Sequence, residues 1–121
     1  MEVQSARVKV AVRVRPLSGK EQAEGHNKVV KSCPKGKSIV LPGRDNELVS
    51  HGFDRAFDFN SSQMDLYSTM ASPLMSHVIS GFNATIFAYG QTGSGKTYTM
   101  GKNNLFLLLL KCMKHTLFRR F

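Results

Sequence analysis

Residues 66–121 contain no aspartate and no glutamate; the last carboxylate of the 121-residue chain is Asp65. The second half can therefore offer no acidic side chain to a metal or to a reacting group. Long apolar runs are missing too. Leu105–Leu110 is the one continuous stretch, six residues, far short of the ~18 that suggest a membrane span. The first apolar stretch alternates with Lys9, Arg13 and Arg15 and so does not read as a secretion signal. Cysteine is scarce. Cys33 and Cys112 are far apart and without metal-ligand spacing, which reads as two free thiols in a reducing compartment. His26, His51, His77 and His115 form no cluster, so surface or packing roles are expected.

What is present is basic. The formal net charge is +9. Residues 1–65 hold eleven basic and eight acidic side chains, whereas residues 66–121 hold six basic ones and none acidic. Such an excess suits a polyanionic partner or a membrane surface, or marks a piece separated from compensating acidic segments. A hydrophobic fraction of 41% allows one domain with a modest core. At roughly 30 residues per strand and crossover helix, there is room for about three or four such units.

Residues 7–14, R-V-K-V-A-V-R-V, alternate with Val8, Val10, Val12 and Val14 on one face. That predicts a strand with one buried face, ended by Pro16. Residues 17–28 read as loop. Val29–Val30 and Ile39–Leu41 read as short strands of a small peripheral hairpin. Residues 53–59, F-D-R-A-F-D-F, predict another strand, turning at Asn60. Ser61 or Ser62 can then cap a helix, with Asp65 in capping-box position to Ser62. Apolar residues recur at helical spacing from Met64 to Phe82, with Pro73 as a kink or break and Gly81 as the stop. Ala84–Tyr89, rich in β-branched and aromatic residues, predicts a buried parallel strand.

Directly after it, Gly90-Gln91-Thr92-Gly93-Ser94-Gly95-Lys96-Thr97 completes the phosphate-binding pattern G-x-x-x-x-G-K-[ST]. Glycines let the backbone curl so that its N–H groups face phosphate oxygens. The lysine reaches the β- and γ-phosphates, and the threonine hydroxyl ligates Mg²⁺. A helix starting near Gly95 adds its positive end. The order strand, loop, helix is the context this motif requires.

Val8–Leu17, Phe57–Asn60 and above all Gly81–Gly101, G-F-N-A-T-I-F-A-Y-G-Q-T-G-S-G-K-T-Y-T-M-G, resemble the N-terminal part of a kinesin motor domain. The resemblance covers about residues 5–101. It implies an α/β fold: a partial P-loop NTPase sheet with flanking helices, truncated before the switch regions. It also implies ATP or ADP with Mg²⁺ as ligand and microtubules (tubulin) as partner. The implied location is the cytoplasm, on the cytoskeleton. No nucleic-acid partner and no transmembrane segment are expected. By resemblance, Gly90, Gln91, Thr92, Gly93, Ser94, Gly95 and Lys96 hold the phosphates, and Thr97 holds the metal. Arg13, Arg15 and Pro16 match the Arg-x-Arg-Pro motif beside the adenine, and Tyr98 packs near the base.

Departures carry their own expectations. A kinesin supplies switch I and switch II after the P-loop helix. Residues 102–121 follow neither pattern and read as a basic, apolar tail outside the family region. Phosphoryl transfer is mostly positioning and charge stabilisation. Without those groups no catalytic residue is identified, and ATP turnover is expected to be absent. A small P-loop kinase would need a later metal-anchoring aspartate, which this sequence lacks. The remaining alternative is a non-catalytic interaction module acting through the basic tail, where Lys111, Lys114, Arg119 and Arg120 could form an amphipathic helix.

Overall fold

The computed structural model describes residues 8–30, 36–45 and 47–101. Cys33, Cys112, His115 and the tail from 102 lie outside them, with the expectations placed there. The chain divides into two compact units, Met1–Ser61 and Ser62–Phe121. Helices and strands are both present.

In the first unit, β1 (Ala11–Arg13) pairs in parallel with β4 (Arg55–Phe57), Val12 opposite Ala56. Flanking bonds extend the ladder: Asp54 N–H donates to the Val10 carbonyl at 2.9 Å and Val14 N–H to the Phe57 carbonyl at 2.8 Å. Both strands are shorter than their alternating patterns. Val8 is 74% exposed and Val10 is also exposed, so only the Val12–Val14 end of the expected buried face is covered. Ala56 and Phe57 are both buried.

β2 (Ser38–Pro42) forms the expected hairpin, but its antiparallel partner is β3 (Leu48–Gly52), not Val29–Val30. Local closure decides this. Gly43 N–H donates to the Glu47 carbonyl at 2.6 Å, and a Cβ on Gly43 would lie 2.9 Å from Val49. The close approach selects glycine, and a short turn closes with little loss of entropy. The segment expected to be loop contains a helix, α1 (Gly19–Ala23). Ser18 and Glu21 form a complete capping box at its start, a S-x-x-E signal legible in the sequence.

In the second unit, Ser62 is the cap, with Asp65 closing the box. The long helical pattern is realised in three pieces: α2 (Gln63–Leu66), a π-helical turn over Tyr67–Ala71, and α3 (Ser72–Ile79). Pro73 is the cause. It cannot donate to the Thr69 carbonyl, and the turn widens just ahead of it, with Ser72 N–H reaching back to the Tyr67 carbonyl. α3 is stopped by Gly81, φ 96°, just beyond the Ser80 cap. Gly81 N–H donates to the Val78 carbonyl and Phe82 N–H to the His77 carbonyl, both at 3.0 Å. That pairing is a Schellman stop.

Ala84–Tyr89 is not a buried strand. Among the described residues no strand pairs with it, and Phe87 and Tyr89 are 79% and 98% exposed. A parallel strand draws its stability from neighbours on its edges and helices on its faces. Local β preference does not substitute for them. The buried apolar side chains among the described residues are Ile39, Ala56, Phe57 and Ala71.

Candidate functional site

Gly90–Thr97 runs into α4 (Lys96–Gly101). Three of its glycines have positive φ: Gly90 at 153°, Gly93 at 81° and Gly95 at 95°. Gly90 is constrained twice, because a Cβ there would sit 2.6 Å from Ser94 Oγ. The loop turns where Ser94 N–H donates to the Gln91 carbonyl at 3.1 Å, and α4 opens with Thr99 N–H on the Gly95 carbonyl at 2.9 Å. Lys96 closes the curl. Its ammonium donates to the Gly90 carbonyl at 2.6 Å and to the Gln91 carbonyl at 2.8 Å. The cation thus lies over the loop it follows and ties the two ends together. Lys96 is half-buried, whereas Thr97 and Tyr98 are exposed.

A residue that motif reading missed completes the setting. Gln63, first in α2, donates its amide Nε2 to the Thr99 carbonyl at 2.7 Å and to the Tyr98 carbonyl at 3.3 Å. No local pattern announces a bond across 35 residues.

Arg13, Arg15 and Pro16 belong to the first unit, and Gly90–Tyr98 to the second. Arg13, on β1, donates from Nη2 to the Ser61 carbonyl at 3.3 Å. Arg15 makes a bidentate pair with Glu21, Nη1 to Oε2 at 2.7 Å and Nη2 to Oε1 at 2.5 Å. Its Nη1 also donates to the Pro16 carbonyl at 3.0 Å. Glu21 is pre-set for that fork, because its Oε2 accepts from the Ser18 backbone N–H at 2.8 Å. The side-chain bonds from Arg15, then the backbone and side-chain bonds with Ser18, hold the Glu21 carboxyl well below the usual carboxylate range. The Arg15 guanidinium is raised in turn by its bond to Glu21. Among the described residues no group of three or more His, Cys, Asp or Glu could hold a metal, and no helix is long and apolar enough to cross a membrane.

A family model described as "Kinesin motor domain" matches residues 13–120. The chain belongs to the kinesin motor-domain family. It is similar to kinesin-like protein KIF27 of Rattus norvegicus, 51% identical over 94 residues, which is 78% of this chain and 6% of that protein. Kinesin-like protein klp-19 of Caenorhabditis elegans is 47% identical over 96 residues, 79% of this chain and 8% of that protein. Kinesin-like protein KIF3C of Pongo abelii is 44% identical over 102 residues, 79% of this chain and 13% of that protein. The aligned region is thus at most 13% of the length of these curated relatives. Family membership implies MgATP or MgADP. The residues fit a phosphate tail: a curled glycine backbone with no room for a Cβ at Gly90, and an ammonium held at its mouth.

Proposed function

We propose that this chain binds MgATP or MgADP through Gly90–Thr97 and is the nucleotide-holding part of a microtubule motor. The observation that supports this best is the Lys96 ammonium resting on the carbonyls of Gly90 and Gln91. Those neutral acceptors stand where phosphate oxygens would be stronger ones, since charge-assisted hydrogen bonds are roughly twice as strong as neutral ones. Gly90–Gly95 would supply backbone N–H donors and Lys96 the cation. The exposed Thr97 hydroxyl would meet Mg²⁺, which keeps most of its remaining ligands as water and phosphate. Tyr98, in the same unit as Gly90–Thr97, is proposed for the adenine side.

In this reading residues 5–101 form the nucleotide-binding part and 102–121 a basic tail. Microtubules are the partner and the cytoskeleton the location. The chain itself turns over no ATP, because it has no carboxylate after Asp65, and positioning groups carry phosphoryl transfer.

The test is a thermal melt with fluorescent-nucleotide titration. MgADP should raise the melting midpoint of the wild-type chain and not that of Lys96→Ala. The substitution should weaken binding about 10–100-fold, the range for losing a hydrogen-bonded charge. Equal binding by both chains would overturn the site. A microtubule-stimulated ATPase signal that disappears in Lys96→Ala would overturn the absence of turnover.

A further inference from the structure

We infer that Gln63 is a positioning residue for the nucleotide site, acting through α4 and resting on the reading of Gly90–Thr97 given above. α4 carries Lys96 and Thr97 on its first turn, so its direction sets where both groups point. Yet it spans six residues and buries none of them. In proteins most helical stability comes from tertiary packing, not from the helix's own bonds. Its orientation must come from tertiary contacts, and burial supplies few.

Gln63 supplies a polar one. Its amide Nε2 donates to the Thr99 and Tyr98 carbonyls of α4. The clamp is itself anchored. Ser62 and Asp65 exchange bonds at 2.9 Å (Ser62 N–H to Asp65 Oδ2) and 3.1 Å (Asp65 N–H to Ser62 Oγ). That fixes the first turn of α2, from which Gln63 projects. The same two carbonyls belong to Tyr98, proposed beside the base, and to Thr99, whose N–H makes the first helical bond to Gly95. Gln63 therefore grips the far end of the lever whose near end is Lys96.

Three full-length variants separate this role from a simple helix effect. Gln63→Met keeps size without a donor. Gln63→Glu keeps shape but turns an acceptor toward two carbonyls, although a glutamate in a first helical turn favours the helix. Gln63→Lys keeps a donor, although a cation there disfavours the helix. Two quantities are read: amide hydrogen exchange at Thr99, and MgADP affinity. The clamp requires faster Thr99 exchange and about five-fold weaker MgADP binding in Met, the range for one lost hydrogen bond. It requires a larger loss in Glu, and recovery toward wild type in Lys.

A helix-only role gives the opposite order, Glu best and Lys worst, and would overturn the inference. So would unchanged exchange in Met, or an equal drop in melting midpoint for all three variants without nucleotide. If Thr99 exchange follows the clamp order while the wild-type chain binds no MgADP, the clamp stands and the nucleotide reading falls.

Discussion

Gly90 concentrates the demands of the loop in one residue. Its φ of 153° and the 2.6 Å between a notional Cβ and Ser94 Oγ leave room for hydrogen alone. Gly90→Ala should therefore reshape the loop just where the Gly90 carbonyl receives Lys96. Backbone strain of this kind is worth about 1–3 kcal/mol. We expect MgADP affinity to fall at least about ten-fold, and the melting midpoint in the absence of nucleotide to fall by at least about 4 °C. Titration with a fluorescent nucleotide checks it, and wild-type affinity in this variant would count against the geometry.

At the scale of elements, two capping boxes and one proline explain most of the helix boundaries. Ser18 with Glu21 starts α1, and Ser62 with Asp65 starts α2. Pro73 splits a single periodic pattern into α2, a π-helical turn and α3. Both boxes carry a sign in pH. Glu21 is held below its ordinary value of 4.5, and Asp65 below 3.8 by its bonds with Ser62. A carboxyl lowered in the folded chain contributes stability that is fully present above its unfolded value. The contribution is lost as pH falls through the lowered folded value. Stability should therefore decline as pH drops below about 4.5 and rise with pH above it until the unfolded carboxylates are ionised. In Glu21→Gln the Glu21 share of that dependence should vanish. An NMR titration of the Glu21 carboxyl reads it directly, and a midpoint at 4.5 would contradict the Arg15 fork.

Over the whole molecule, the feature with most consequence is exposed apolar surface in a neutral stretch. No Lys, Arg, Asp or Glu lies between Asp65 and Lys96. Within that stretch Phe82, Phe87 and Tyr89 are largely exposed. An uncharged, β-prone segment without a ladder is a template for pairing with other chains. Phe87→Lys should raise the monomer fraction in sedimentation velocity at a given concentration, while leaving MgADP affinity near wild type. Unchanged association would show that another surface drives it. The net charge of +9 works against self-association at long range, so added salt should enhance it in the wild-type chain.

The sequence by itself determined the glycine curl of Gly90–Gly95, a serine cap before α2, the Pro73 interruption and the Gly81 stop. Each is local: a glycine conformation, a side chain bonding its own turn, a missing N–H. It also determined the family, because Gly81–Gly101 is a long contiguous motif. The box at Ser18 is equally local, set inside a polar segment without apolar periodicity. Tertiary structure decided what depends on distant residues. β1 met β4, Val12 opposite Ala56. Gln63 reached α4 across 35 residues. Ala84–Tyr89 has the composition of a strand and, among the described residues, no strand beside it; a strand, unlike a cap or a turn, is completed only by hydrogen bonds from another segment.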